Sequence, residues 1–306
     1  MNARGFSLMS GGLDSQLAVK ILQLAGAEVT GICFETPFFK AAAARKAASA
    51  LGVELLVVDF TDDELALVEN PPHGFGGSMN PCIDCHAAMI RRAGEMMKER
   101  GWDFVSTGEV MGQRPMSQNR QSLGIVERSS GLAGRLVRPL SARLLDPTIP
   151  ETEGKLDRSK LLDIHGRSRE RQIALAAEFG IVDYPSPAGG CKLTEEAYGR
   201  KLKDLKEHEG LRNRRLVELL AVGRHFRLPD GTGLIVGRDR ADNGVLSGEA
   251  ALGELLDSGD LPGPTALLIG GAKSDGDREL ARRIVLSYTK GGGEEDRTFF
   301  APWHLC

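Results

Sequence analysis

A short apolar run, Gly5-Phe6-Ser7-Leu8-Met9, turns through Ser10-Gly11-Gly12 into a helical pattern with apolar residues at Leu13, Leu17, Ile21 and Leu24. No other stretch of the 306 residues constrains the fold as strongly. A strand that passes through two glycines into a helix N-terminus lets the backbone approach an anion closely. The unpaired helical N–H groups then point at that anion. Ser10 and Ser15 add hydroxyl donors, and Asp14 is placed to hold a divalent cation against phosphates. The stretch lacks a Gly-Lys-Ser/Thr ending, so it is not the common NTPase phosphate loop. An ordinary strand–helix turn is the alternative reading.

Strand and helix patterns continue to alternate through the first half. Residues 28–34, 53–59 and 103–107 read as further buried strands, with helices over 13–25, 38–51 and 84–100. This alternation predicts an α/β fold with a doubly wound, mostly parallel sheet covered on both faces. Ligands of such sheets bind beyond the carboxyl ends of the strands, where Ser10–Ser15 falls. From about 110 to 190 the chain is irregular and rich in Arg, Gly and Pro, with short helices expected near 158–164 and 168–179. Charged helices follow at 195–209 and 211–221. Short strands at 225–228, 234–236 and 266–269 and a helix near 277–288 then read as a smaller α+β domain. The expected division is 1–210 and 211–306. Gly291-Gly292-Gly293-Glu294-Glu295-Asp296 reads as an exposed loop, and Gly270-Gly271-Ala272-Lys273-Ser274 as a tight connection.

A net charge of −3 excludes a globally basic nucleic-acid binder, so RNA contact requires a local patch. The opening residues lack the apolar core of a signal peptide, and no run approaches membrane-spanning length. Five cysteines without an export signal point to reduced thiols and a cytoplasmic protein with no membrane partner.

Asn80-Pro81-Cys82-Ile83-Asp84-Cys85-His86 places two thiols three residues apart at a loop-to-helix junction. A third, Cys191, lies in the Gly- and Pro-rich segment 185–192, which suits a functional thiol better than a packed one. Four chemistries are compatible with the set. Cys82–His86 is literally a c-type haem attachment pattern, although that attachment occurs outside the cytoplasm. A structural zinc would use Cys82, Cys85, Cys191 and His86. A metal-free pair would carry a persulfide on one thiol and resolve it with another. A 4Fe–4S cluster on three cysteines would leave one iron open to bind sulfur. Cys33, in the second strand, reads as a buried core thiol, and the terminal Cys306 carries no signal.

Ser10-Gly11-Gly12-Leu13-Asp14-Ser15 resembles the SGGxDS loop of the PP-loop ATP pyrophosphatases. Combined with NPCIDCH, with Ser106-Thr107-Gly108 after a strand and with a distant Gly-Cys, it is similar to the tRNA thiouridine synthases over residues 5–195. The relatives meant are the 2-thiouridylases and the 4-thiouridine synthases, including a three-cysteine iron–sulfur variety. The resemblance implies ATP on Ser10, Gly11, Gly12, Asp14, Ser15, Phe34, Gly108 and Arg114, with Mg²⁺ on Asp14. It implies a 4Fe–4S cluster on Cys82, Cys85 and Cys191, with Cys85, Cys191 and Asp14 catalytic. Those families continue Thr-Gly-His where this chain has Thr107-Gly108-Glu109, which puts the contact expected of that histidine in doubt.

Between residues 200 and 227 nine Lys or Arg face four acidic residues, a local excess that can neutralise RNA phosphates. Arg212, Arg214, Arg215, Arg224 and Arg227 are the least balanced and form the expected RNA-binding set. Residues 195–209 alone could equally be a solvated face with i,i+4 ion pairs. Val222–Phe226 and Ile235–Arg238 weakly resemble the RNA-binding piece of the NFACT family. Arg114 and Arg138 are further candidates for phosphate contacts.

The expected activity is ATP-dependent tRNA uridine thiolation, with tRNA and a sulfur donor (sulfide, or a cysteine desulfurase or carrier) as partners. Dimerisation stays open. Two alternatives are a PP-loop desulfidase or small-molecule sulfur transferase, and a non-catalytic RNA-binding protein with structural zinc.

Overall fold

The computed structural model describes residues 2–186, 190–289 and 294–305. The chain divides into two compact units, Met1–Thr194 and Glu195–Cys306.

The first unit runs β1 (Arg4–Leu8), α1 (Leu13–Leu24), β2 (Glu28–Glu35), α2 (Ala42–Leu51), β3 (Leu55–Asp59), α3 (Thr61–Glu69) and α4 (Cys82–Glu99). It continues with β4 (Phe104–Ser106), α5 (Arg120–Ser130), β5 (Leu136–Val137), α6 (Ile149–Thr152) and α7 (Glu170–Glu178). The five strands form one sheet in the order β3-β2-β1-β4-β5, and every pair is parallel. Alternating side chains along each strand go to opposite faces. Phe104 joins the core made by Leu13, Leu17 and Ile21 of α1, while Phe6 and Val105 join Phe60, Ile90 and Met97 on the other side. Both faces are therefore covered, as the alternating pattern predicts. The winding reverses at β1, which lies between β2 and β4, and this is where such sheets open a crevice.

Several expectations change in detail. Residues 158–164 form one 3-10 turn at Arg158–Lys160 rather than a helix. The amides of Leu162 and Ile164 donate instead to Pro139 and Leu140, so this segment extends beside the end of the sheet. The helix expected from residue 38 starts at Ala42, because the Phe38 amide bonds Thr36 Oγ1 in a tight turn.

In the second unit, α8 (Glu196–His208) and α9 (Arg214–Leu219) precede β6 (Arg224–Arg227), β7 (Gly233–Val236), α10 (Arg240–Leu246), β8 (Gly253–Leu256), β9 (Ala266–Ile269), α11 (Asp275–Ser287) and α12 (Glu294–Phe300). An antiparallel sheet in the order β6-β7-β9-β8 packs on α11 through Ala281, Ile284 and Val285. Helix α8 lies in this unit: its buried Leu205 stands with Leu216, Leu220 and Phe226 around one small cavity. A boundary at 210 would cut through that packing. Glu294–Asp296, expected in a loop, begin α12. Gly291–Gly293 and Cys306 lie outside the described residues, as do 187–189 of the Cys191 segment. Gly270 and Gly271 make the tight connection, both with positive φ, and Ser274 caps α11 through the Asp277 amide. Among the described residues no helix is long and apolar enough to cross a membrane.

Candidate nucleotide and thiol site

The loop leaving β1 is shaped by steric necessity. Gly11 has φ of +81°, and a Cβ there would lie 2.4 Å from the Ala43 carbonyl carbon. On the β4 side, a Cβ on Gly108 would lie 2.7 Å from the Asp14 carbonyl carbon and the Ser15 nitrogen. The two strand ends thus close around the start of α1, which no side chain caps. Its first amides are the kind of uncapped donors that bind phosphate. Ser15 Oγ donates to the Gly12 carbonyl at 2.8 Å, and Ser10 Oγ lies 3.5 Å from it.

Asp14 is held by Gln113, whose Nε2 donates to Oδ2 at 2.9 Å. Asp14 Oδ1 and Gln113 Oε1 are both buried and have no hydrogen-bond partner among the described residues. Two such oxygens fit a hard divalent cation, whose remaining ligands would come from phosphate oxygens and water. Gln113 was not singled out by the sequence; its role appears only when the loop after β4 folds back onto α1. Arg114 is exposed on the same loop, whereas the Phe34 ring is packed edge-on against Phe60 at 5.1 Å.

The thiols gather at the N-terminus of α4. Asn80 shapes the preceding loop by accepting from the Ser78 amide at 2.9 Å, and its Nδ2 donates to Cys82 Sγ at 3.1 Å. Asp84 bonds the amide and ring of His73 at 2.9 and 2.6 Å, fastening the start of that loop to the helix. Cys85 is buried, and its thiol is pushed well above the usual range by burial, then by Glu64, then by the nearby Cys191 and Cys82 sulfurs. Cys191 thus comes within electrostatic reach of Cys85 across more than a hundred residues of sequence. The Lys192 amide ties its segment to the Phe38 carbonyl at 3.0 Å. Glu64, on α3, is raised to about 7 by burial, against the smaller lowering influences of the Cys85 thiol, which it meets, and of His86.

The Cys191 and Cys82 sulfurs both push the Cys85 thiol up, and a cationic iron centre would relieve such repulsion between thiolates. No group of three His, Cys, Asp or Glu among the described residues is arranged to hold a single metal ion. Mononuclear zinc would need its sulfurs roughly 3.8 Å apart, from its tetrahedral geometry.

Residues 1–143 match the family described as Thiamine biosynthesis protein (ThiI), and residues 223–299 match the NFACT protein RNA binding domain. A probable tRNA sulfurtransferase of Thermoanaerobacter sp. (strain X514) is 30% identical over 148 residues, covering 45% of this chain and 37% of the relative. The chain thus spans little more than a third of that curated relative. The tRNA-specific 2-thiouridylase MnmA of Roseiflexus sp. (strain RS-1) is 26% identical over 295 residues, covering 80% of this chain and 76% of that protein. A 4-thiouridine synthetase solved with RNA and ATP aligns at a TM-score of 0.45 and 18% identity, over 71% of this chain and 52% of that one. Over its first unit the chain is thus similar to the PP-loop tRNA thiouridine synthases.

Against the PP-loop pattern, Glu109 takes the place usually held by histidine. Its carboxylate accepts from Arg138 Nε at 2.9 Å and Thr107 Oγ1 at 3.0 Å, and it meets His86 Nδ1 at 3.0 Å. Burial would raise this carboxyl, but Arg138 and His86 outweigh it and hold the pKa at about 2. An imidazole therefore reaches this position from α4, one residue beyond Cys85. Arg138 is itself buried and fully engaged, bonding Glu109, Glu127 and the Leu123 carbonyl. Its guanidinium is taken up by these carboxylates and this carbonyl rather than presented to a phosphate.

The basic strip of the second unit is unevenly available. Arg227 is enclosed by Asp204 and Glu209, and Arg215 pairs with Glu218 and Glu249. Ion pairs Arg200–Glu196 and Lys203–Glu207 line α8, the solvated-face alternative. Arg212 and Arg214 flank Asn213, the cap of α9. Arg224 stands apart from these, over the Tyr288 ring at 4.4 Å.

Proposed function

We propose that this protein replaces a uridine carbonyl oxygen of tRNA by sulfur, using ATP. The observation that carries this reading is that Cys82 and Cys191 both lie within electrostatic reach of the buried Cys85, in a unit that also holds the glycine loop after β1. In the proposed reaction the uridine oxygen attacks the α-phosphorus of ATP and pyrophosphate leaves. A sulfur nucleophile then attacks the activated carbon, and AMP departs with the former carbonyl oxygen. Uncapped amides of α1, with Ser10 and Ser15, would neutralise the departing pyrophosphate, as preorganised donors do in phosphoryl transfer. Asp14 and Gln113 would hold Mg²⁺ beside it.

Cys82, Cys85 and Cys191 would hold a 4Fe–4S cluster. When bound, that cluster supplies an iron with a free coordination position for sulfur. Burial around Cys85 keeps water from the activated uridine, which would otherwise hydrolyse back. The matched RNA-binding domain supports tRNA over a small metabolite as substrate, and this reading has the protein acting in the cytoplasm.

The test is nucleoside analysis of tRNA from cells lacking the gene, together with iron and sulfide analysis of anaerobically purified protein. The reading expects loss of one thiouridine, restored by the wild-type gene but not by Cys85→Ser or Cys191→Ser. Unchanged thionucleosides, or rescue by either variant, contradict it.

A further inference from the structure

The second unit carries a cleft of about 330 Å³ that the basic strip does not explain. Arg224, Arg238, Arg240, Arg297 and Tyr288 line it, brought together from β6, the turn after β7, α10, α12 and the end of α11. Arg224 and Arg297 place their guanidinium carbons 4.4 and 5.3 Å from the centre of the Tyr288 ring. Both are anchored there by carbonyls: Arg224 Nη1 donates to Gly237 at 3.2 Å, and Arg297 Nε to Ser287 at 3.0 Å. Arg238 is paired with Asp242, and Asp239 spends its carboxylate on capping α10. Arg240 is exposed and makes no ion pair among the described residues. Among the described residues Arg224, Arg238 and Arg240 against those two carboxylates leave the cleft cationic.

We propose that this cleft grips one splayed nucleotide of an RNA strand, with its guanidiniums on the backbone phosphates and the Tyr288–arginine assembly as the stacking surface for its base. The proposal rests on the tRNA reading above and names the place where that RNA is held. Planar guanidiniums recognise phosphate through paired N–H donors and also stack on rings, a combination suited to a nucleotide. Base stacking on aromatics and Arg planes is the usual means by which proteins hold unpaired RNA. Salt-bridged arginines such as Arg215 and Arg227 must break existing pairs to bind phosphate, whereas Arg240 breaks none.

The test measures the affinity of the full-length protein for a tRNA transcript across a salt series, with Arg240→Gln and Tyr288→Leu variants. Arg240→Gln removes one exposed charge, and it is expected to weaken binding severalfold and to lower the slope of log K against log salt by about 1. Tyr288→Leu retains an apolar side chain, and it is expected to weaken binding about tenfold with the slope unchanged. Tyr288→Phe should bind as wild type. Wild-type affinity retained by both Arg240→Gln and Tyr288→Leu overturns the cleft alone. No tRNA affinity in the wild type overturns both the cleft and the thiolation reading. Free AMP that binds the cleft without competing with tRNA would make it a mononucleotide pocket and overturn the proposal.

Discussion

Glu109 and Glu64 belong to one cluster around His86 and Cys85, yet their surroundings drive their carboxyls in opposite directions. Glu109 has Arg138 and His86 to hold its charge, whereas for Glu64 burial outweighs the Cys85 thiol and His86. Because the folded-state pKa of Glu109 lies below its ordinary 4.5, its contribution to stability is present above pH 4.5. It is lost as pH falls toward 2. Glu109→Gln leaves Arg138 buried beside a neutral amide, and urea denaturation at pH 7 should show a loss of about 3 kcal/mol. The variant should also lose less further stability than wild type between pH 4.5 and 3. Gly11→Ala meets the Ala43 backbone and must adopt positive φ, so a loss of about 2 kcal/mol is expected, together with loss of ATP binding by calorimetry. Asp14→Asn should keep the melting temperature while lowering AMP formation roughly 100-fold, the scale of removing one charge-stabilising group. The loop and the thiols were legible in the sequence because each motif is local. Glu64 and Gln113 were not, nor was the pairing of His86 with Glu109, because their partners come from other elements and no spacing in the sequence announces them.

At the scale of elements, α1 and α4 follow their apolar periodicity, and both begin where the sequence places function. Ile90 is buried in the core on α4, five residues from Cys85. Ile90→Ala should cost about 2–5 kcal/mol in denaturant unfolding, and it should raise the reactivity of Cys85 toward a maleimide as the helix loosens. Strand β5 escaped sequence reading because two residues, Leu136 and Val137, are too few to show a period of two. Strand β8 begins at Gly253, directly after a 3-10 turn, and its pairing with β9 rather than its composition makes it a strand. The 158–164 segment reads as helical because Leu161, Leu162 and Ile164 mimic helical spacing. Its amides find better partners at Pro139 and Leu140.

The whole molecule joins a unit that holds the glycine loop and the thiols to one similar to the NFACT RNA binding domain, and each has its own acid sensitivity. In the second unit His225 is buried and, with Lys201 nearby, lowered to about 3. A histidine so lowered lends stability above pH 6.5 that is lost as pH falls from there toward 3. Trp102 reports on the first unit and Trp303 on the second. Single-tryptophan variants should therefore show the Trp303 fluorescence changing at a higher pH than that of Trp102 during acid titration. A common midpoint would contradict this ordering. The division of labour was legible from the change in pattern after Cys191, but the cationic cleft was not, since its arginines are scattered over 74 positions, from Arg224 to Arg297.

The most direct measurement of the central claim is an anaerobic reaction of purified protein with tRNA, ATP, Mg²⁺ and sulfide, counting thiouridine by mass spectrometry against AMP released. The proposed action of the three thiols on ATP-activated uridine predicts about one thiouridine per AMP for wild type and none for Cys191→Ser, whose fold should be unchanged by circular dichroism. Thiolation by the Cys191→Ser protein at the wild-type rate, or AMP release by wild type without sulfur in the tRNA, would contradict it.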